Sequence, residues 1–434
     1  MRAKKEYKQR TYLDPIHGPI NLNLNDPTDY LLTEIINTRE FQRLRRIRQM
    51  GLGAFTFHGA EHSRFGHSLG TMFIAKKMIN HLSNNFPEIK KYKTEILICA
   101  LIHDIGHGPF SHTSEKIIDS THEILSKKII EGNSNINSIL SSHKKDLPEK
   151  ITDILRHSRS PKYLSQIISS YIDCDRLDYL HRDSYFVGVP YGLTGSERII
   201  ASLAIDKEKL VINESIGLDA VIHYLQARHS MYVQVYQHKK NLACDFLLKK
   251  IFKRVREVKP INISIHLNKW LNHDKRGIDI DSYLHVDDIL LISNFQMWAF
   301  DPTEDAILRN LTKNFLERRL FKSLEFRPQI TKNKINEILE KLKKISKNKR
   351  IDPDYYVGIE QSASKPYEPY KAQDKKTSKA IYIKQQNGTI QELSEISGLV
   401  KALSKEGTVK TCLVFTPELE NEVRKLKGSK ELFK

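Results

Sequence analysis

The chain of 434 residues carries a formal charge of +18 and is 39% hydrophobic, enough for one large domain or two to three modest ones around a sizeable core. No run approaches the roughly 20 apolar residues of a membrane span and the N-terminus lacks a signal-peptide core, so a soluble, cytoplasmic protein is expected. Cys99, Cys174, Cys244 and Cys412 form no CxxC pair, which argues against a disulfide scaffold or a thiolate zinc knot.

Residues 1–27 read as irregular, with a turn-rich stretch at Asp14-Pro-Ile-His-Gly-Pro19. From residue 29, Leu31, Leu32, Ile35, Ile36, Phe41, Leu44 and Ile47 recur at helical spacing, with arginines opposite. The same period predicts helices over 68–82, 92–103, 122–131, 148–156, 164–182 and 195–203, and one long helix over 218–257. Only 209–212 has strand character in this half. After Pro260 the helical pattern resumes over 286–293 and 305–322, and an amphipathic basic helix follows over 332–347. Beyond residue 351 the texture changes. Residues 362–370 are rich in Pro and Tyr and read as an extended linker; 380–384 and 411–415 alternate like short strands; helices are expected near 393–404 and 418–427. The expected fold class is mainly α: a helical core over 1–285, a helical extension over 286–350, and a small α/β lobe over 351–434.

The basic surplus suits polyphosphates, and leaves nucleic acid open as a partner, but it is also what a well-solvated lysine-rich surface gives. The basic runs at 39–48, 332–350 and 365–384 lack the interleaved aromatics of a single-strand stacking platform, which favours nucleotides over polymers.

The chemistry concentrates on a few short segments. The apolar run ending at Ile102 terminates in His103-Asp104 and breaks at Gly106-His107-Gly108-Pro109. With His67 and Asp175 these residues form an H…HD…D set: two imidazoles and two carboxylates. Such a mixed N/O site suits one divalent ion of iron, manganese, zinc or magnesium, and the absence of thiolates argues against structural zinc. A buried aspartate is costly unless paired or bound to a cation, which is why Asp175 in an apolar-flanked segment points the same way. Just past the pair, His112 and His122 suit proton transfer at neutral pH, with Glu115 as their orienting carboxylate. Arg64, Arg176 and Tyr179 share the ligand segments, where they would reach a polyphosphate bridging the ion.

These motifs resemble those of the HD-domain triphosphohydrolases of deoxynucleoside triphosphates (dNTPs), the family of the SAM-and-HD-domain enzyme and its bacterial relatives. The matching segments are Asp14-Pro-Ile-His-Gly18, Phe41-Gln-Arg-Leu-Arg45, Arg64-Phe-Gly-His67-Ser-Leu-Gly70, His103-Asp-Ile-Gly-His-Gly-Pro-Phe-Ser-His112, Thr121-His-Glu123 and Asp173-Cys-Asp-Arg-Leu-Asp-Tyr179. Tyr236-Gln-His-Lys239 and Arg319-Leu-Phe-Lys322 extend the match over roughly the first three-quarters of the chain.

The resemblance implies metal ligands at His67, His103, Asp104 and Asp175, and a catalytic cluster of His112, Glu115 and His122. It further implies triphosphate contacts from Arg64, His107, Arg176, Tyr179 and Arg228, a grip on the sugar 3′-hydroxyl by Gln49 and Asp183, and exclusion of a 2′-hydroxyl by Tyr236. Cleavage of a dNTP to deoxynucleoside and inorganic triphosphate, magnesium arriving with the nucleotide, and a homotetramer are implied as well. Gln42, Arg45, Lys239, Arg318 and Lys322 keep the basic character of the family's activating-nucleotide pocket. The departures are Asn37 where the vertebrate enzyme has a guanine-reading aspartate, Leu13 where it has an asparagine, Arg176 in place of a lysine, and no SAM module. The competing expectations are an HD-type metal nuclease or phosphodiesterase acting on nucleic acid or a signalling nucleotide, and a non-enzymatic scaffold.

Overall fold

The computed structural model describes residues 8–118, 120–273, 277–365, 367–368, 380–405, 407–426 and 429–434. The fold is mainly helical, as the apolar period predicts, with three small sheets among the described residues. Several helices begin where a capping side chain precedes an apolar period. Asp26 accepts from the backbone N–H groups of Thr28 and Asp29 and, with Pro27, starts α1 (Pro27–Ile36). The expected continuation to residue 47 is broken at Asn37, because Thr38 caps a new short turn, Arg39–Arg43.

Helix α2 (Arg64–Leu82) packs against α3 (Lys93–Ile102), in which every residue from Ile96 to Ile102 is fully buried. Each Leu or Ile among them contributes about 1.5–3 kcal/mol relative to exposure, so the end of α3 is held firmly. Helices α4 (His112–Ile118) and α5 (His122–Glu131) follow a break after His103. The helix predicted over 164–182 is two helices, Tyr163–Ile168 and α6 (Cys174–Val187). The reason is Asp173, whose carboxylate accepts from the N–H groups of Ser170 and Arg176 and so starts α6 afresh. The long helix expected over 218–257 is likewise divided. α7 (Glu214–Met231) runs into a π-turn at Tyr232–Tyr236, and His238 caps α8 (Lys239–Val258). Asp287 caps α9 (Asp288–Phe300).

Two further expectations are corrected. Residues 9–23 are not irregular: β1 (Gln9–Asp14) and β2 (Gly18–Asn23) form an antiparallel hairpin that buries Ile20 and Leu22 on one face. The helix expected to reach residue 322 stops at Leu316, where Arg318 turns the backbone to φ 54°. β5 (Lys322–Glu325) follows, in an antiparallel sheet of order β5-β9-β6 with β6 (Val357–Ser364) and β9 (Thr408–Phe415). The third sheet joins β3 (Leu203–Asp206) and β4 (Lys209–Asn213) to β7 (Tyr382–Lys384) and β8 (Ile390–Glu392) in the order β3-β4-β7-β8. The start of the expected linker is thus strand β6, and Tyr367 is buried; residues 366 and 369–379 lie outside the described residues. All four cysteines are free and buried. Among the described residues, no helix is long and apolar enough to cross a membrane.

Candidate active site

His67 lies one turn into α2, His103-Asp104 at the exit of α3, and Asp175 in the first turn of α6. Packing of these three helices brings the side chains together. His67 Nε2 is 3.1 Å from Asp175 Oδ1 and 3.6 Å from Asp104 Oδ2. His103 Nε2 is 3.3 Å from Asp104 Oδ1 and 3.7 Å from Asp175 Oδ1. Both Nε2 atoms are buried without a hydrogen-bond partner, an expense a protein rarely bears without a ligand.

The far side of each ring is fixed. His67 Nδ1 faces Asp178 Oδ2 at 2.7 Å, and His103 Nδ1 faces the carbonyl of Ala100 at 2.9 Å. A carboxylate or carbonyl behind an imidazole sets its tautomer and aims the other nitrogen's lone pair at a cation. Burial alone would lower the pKa of His67, but the carboxylates of Asp175 and Asp178 outweigh it and raise it to about 10. Against the same burial penalty, His103 and His67 hold Asp175 below the usual carboxylate range. The cluster thus carries surplus negative charge that binds a proton where a cation could sit. His67, His103 and Asp175 present their donor atoms within 4.8 Å of one another. Asp104 stands beside this trio and outside it, its Oδ2 paired with Arg64 Nη1. The donors therefore fit one divalent ion.

Beside this cluster sits a second. Glu115 Oε1 is 2.8 Å from His122 Nδ1, 3.1 Å from His112 Nδ1 and 3.5 Å from His107 Nδ1. His107 links the two groups, its Nε2 lying 3.4 Å from Asp104 Oδ1. Burial would raise the pKa of Glu115, but hydrogen bonds from His112 and His122 bring it down to about 2.

Both clusters border a cavity of about 490 Å³. Its walls include Gln49, Arg64, Asp104, His107, His112, His122, Asp175, Arg176, Tyr179, Asp183 and Tyr236. An aromatic wall leads away from the ion cluster. The Tyr179 ring lies 6.4 Å from that of His67 and 6.2 Å from that of Tyr236, whose hydroxyl donates to Asp183 Oδ2 at 2.7 Å. Asp183 Oδ1 faces His62 Nε2 at 2.7 Å. Arg64 donates from Nε to Ser111 Oγ at 2.9 Å, and Arg176 is paired with Asp173. Arg228 is set back from the cavity, 4.8 Å over the Tyr232 ring, and that ring does line it.

The two clusters fall within the stretch 64–183, which matches the family model of the HD domain. Over 400 residues the chain is 36% identical to the uncharacterized protein YwfO of Bacillus subtilis, covering 92% of this chain and 90% of that one. It superposes on a phosphohydrolase from Bacteroides thetaiotaomicron with a TM-score of 0.80 at 27% identity, covering 94% of this chain and 99% of that one. The chain belongs to the HD-domain phosphohydrolases. It is also 28% identical to the human deoxynucleoside triphosphate triphosphohydrolase SAMHD1 over 348 residues, 71% of this chain, and spans 54% of the human protein's length.

Several residues that support the site in this HD-domain phosphohydrolase escaped the sequence reading. Asp178 accepts from Arg182 at 2.8 and 2.9 Å and faces His17 Nε2 at 2.6 Å, while Arg182 also donates to Asp14 at 2.8 Å. Buried Arg43 donates to the carbonyls of His107 and Val286, both at 2.7 Å. Tyr283 donates to the carbonyl of Gly106 at 2.7 Å, and Asp288 accepts from Phe110 N at 2.8 Å. These bonds hold the segment between His103 and His112, in which Phe110 and Ser111 have φ of 53° and 55°, a left-handed conformation costly for non-glycine residues. Asp14, His17, Arg43 and Asp178 stood inside the quoted segments without a role of their own; Arg182, Tyr283 and Asp288 gave no signal. Gln42, Arg45, Lys239, Arg318 and Lys322 are not among the residues lining the cavity. Arg45 donates to Gln42 at 2.8 Å and stacks 3.6 Å over Phe65. Arg318 donates to the carbonyl of Phe55, Lys322 lies 3.4 Å from Glu420, and the carbonyl of Lys239 accepts from Ser323.

Proposed function

We propose that this HD-domain phosphohydrolase cleaves dNTPs to deoxynucleoside and inorganic triphosphate. One observation carries the reading: a single cavity runs from the His67/His103/Asp104/Asp175 cluster along Tyr179 and Tyr236 to Asp183. That order matches the parts of a dNTP, with phosphates at the end where Arg64, Arg176 and a bound cation would meet them and the sugar at the Asp183 end.

A divalent cation held by His67, His103, Asp104 and Asp175 would supply Lewis-acid activation of a phosphoryl oxygen and of water. The protein's own groups do the rest. Arg64, already oriented by Ser111 and Asp104, offsets negative charge at the α-phosphate as water adds and the bond to the 5′-oxygen breaks. His122, aligned by Glu115, holds the proton that the departing 5′-oxygen takes up, and the more exposed His112 shares that carboxylate. The triphosphate keeps the oxygen contributed by water. Tyr236, fixed by Asp183, leaves no room beside the sugar for a 2′-hydroxyl. Gln42, Arg45, Lys239, Arg318 and Lys322 are proposed to bind an activating nucleotide where copies meet in a homotetramer.

The test is incubation of the purified protein with each dNTP, singly and mixed, under Mg²⁺, Mn²⁺ or Co²⁺, with chromatography of the products. Inorganic triphosphate and deoxynucleoside are expected, and His103→Ala/Asp104→Ala abolishes both. Cleavage of mixtures but not of single dNTPs would support the activator site. Release of nucleoside monophosphates from nucleic acid or a cyclic nucleotide, without triphosphate from any dNTP, overturns the proposal in favour of a nuclease or phosphodiesterase.

A further inference from the structure

We infer that His107, His112, Glu115 and His122 form a second ion site, selective for zinc-like transition metals and separate from the His67/His103/Asp104/Asp175 cluster. The four residues offer donor atoms within 4.8 Å of one another. Three imidazole Nδ1 atoms converge on one carboxylate oxygen at 2.8, 3.1 and 3.5 Å. Around a tetrahedral ion with metal–nitrogen bonds of about 2.0–2.1 Å, neighbouring donors stand about 3.3 Å apart. The observed separations bracket that value.

Hydrogen bonding among these groups alone leaves the arrangement unsatisfied. A carboxylate oxygen offers two lone pairs, so it serves two N–H donors well and a third poorly. The third is His107, 1% exposed, whose Nδ1 has no hydrogen-bond partner. An ion at the centre would take all three nitrogen lone pairs and the carboxylate oxygen together.

The outer nitrogens agree with this. His107 Nε2 lies 3.4 Å from Asp104 Oδ1, and His122 Nε2 lies 3.6 Å from Glu123 Oε1. His107 thus has a carboxylate behind the nitrogen that would not bind the ion, the usual backing of a metal-ligating histidine, while Glu123 is too far from His122 to hydrogen-bond it. His112 has a side chain 68% exposed and lines the cavity, so an ion can enter from that side. Three imidazoles and one carboxylate favour Zn²⁺, Co²⁺ or Ni²⁺ and give Mg²⁺ little to hold.

If the proposed hydrolysis is correct, filling this site also inhibits it, because an ion on Nδ1 displaces the Glu115 contact that aligns His112 and His122 and keeps either ring from taking up the extra proton that the leaving group needs. Binding itself does not depend on that chemistry. The decisive measurement is the number of ions per chain, by mass spectrometry of the metal after stripping and dialysis against Co²⁺. The full chain is expected to bind two. His112→Ala and Glu115→Gln bind one, with affinity for the other weakened at least about 10-fold. His103→Ala keeps the ion of the histidine-rich site, seen by its Co²⁺ absorption. His112 is exposed, so its loss leaves the fold intact. One ion per chain in the unaltered protein at saturating Co²⁺, or two in His112→Ala, overturns the inference. Triphosphate release that persists at full rate with both sites filled by Zn²⁺ overturns the inhibitory role alone. Absence of triphosphate under every condition leaves the ion count to decide.

Discussion

Asp178→Asn removes one negative charge and changes almost no volume, yet it should disable the ion cluster from behind. The carboxylate is fully buried and surrounded by donors: His67 Nδ1 at 2.7 Å, His17 Nε2 at 2.6 Å and two Arg182 nitrogens at 2.8 and 2.9 Å. An amide accepts through one oxygen and turns an NH₂ group toward groups that are themselves donors. Breaking a buried pair outright costs about 3–5 kcal/mol. Asp14 remains as a counter-ion for Arg182, so a loss of about 2–4 kcal/mol in unfolding free energy is expected. His67 also loses the group that fixes its tautomer, and such losses lower metal affinity about 10–100-fold, or about 1.4–2.8 kcal/mol. Titration of the stripped protein with Mn²⁺, alongside urea unfolding without metal, separates the two effects. A folded Asp178→Asn variant that binds Mn²⁺ as tightly as the unaltered protein would refute the claim that Asp178 aims His67 at a cation.

Gly70→Ala attacks the same network sterically: an added Cβ would stand 1.9 Å from Asp178 Oδ1 and 2.4 Å from Arg182 Nη2. Unfolding free energy should fall by about 1–3 kcal/mol and Mn²⁺ affinity with it; a neutral result would show that the network yields easily. Glu115 is held at about 2 against a usual 4.5, because its bonds from His112 and His122 outweigh burial. A depressed carboxyl stabilises the fold above its unfolded pKa and loses that contribution as pH falls from 4.5 through 2. The stability difference between the unaltered protein and Glu115→Gln, from urea curves, is therefore full above about pH 5 and vanishes towards pH 2. Asp288→Ala leaves the N–H groups of Phe110 and Arg48 without their acceptor, at about 1–3 kcal/mol each, and the turnover number should fall more than the KM rises as the His107–His112 segment relaxes. Tyr236→Ala opens the sugar end, so discrimination against ribonucleotides should drop at least about 10-fold in paired dGTP and GTP assays.

What the chain revealed in advance was whatever depends on neighbours in sequence. The dryness of α3 follows from seven successive apolar residues, and the exit of His103-Asp104 from the glycines behind them. Periodicity located most helices, but it is blind to caps that restart one: Asp173 and His238 each divide a run whose apolar spacing continues across the break. Those divisions have consequences at the site. The first puts Asp175 in an opening turn beside the ion cluster; the second introduces the π-turn that brings Tyr232 and Tyr236 to the cavity wall. The hairpin of β1 and β2 was missed because its alternation spans only six residues per strand, with a turn of Pro, His and Gly that reads as loop. Long-range pairs such as Arg43 with the His107 carbonyl leave no trace in spacing at all, since nothing near residue 43 announces an acceptor 64 positions away.

That same distance defines how large the working unit is. The HD-domain match covers 64–183, but the backbone that carries His107 to His112 is held by groups outside it. Arg43 and Tyr283 fix the carbonyls of His107 and Gly106, and Asp288 fixes the N–H of Phe110 beside the two left-handed residues. Asp14 and His17, on the hairpin strand and its turn, complete the charge balance around Asp178 and Arg182. The ligand residues could be excised with 64–183, whereas the geometry that makes them a site could not. Conformations costing about 1–3 kcal/mol each persist only where surrounding structure over-determines them, and around Phe110 and Ser111 that structure is supplied by Arg43, Tyr283 and Asp288.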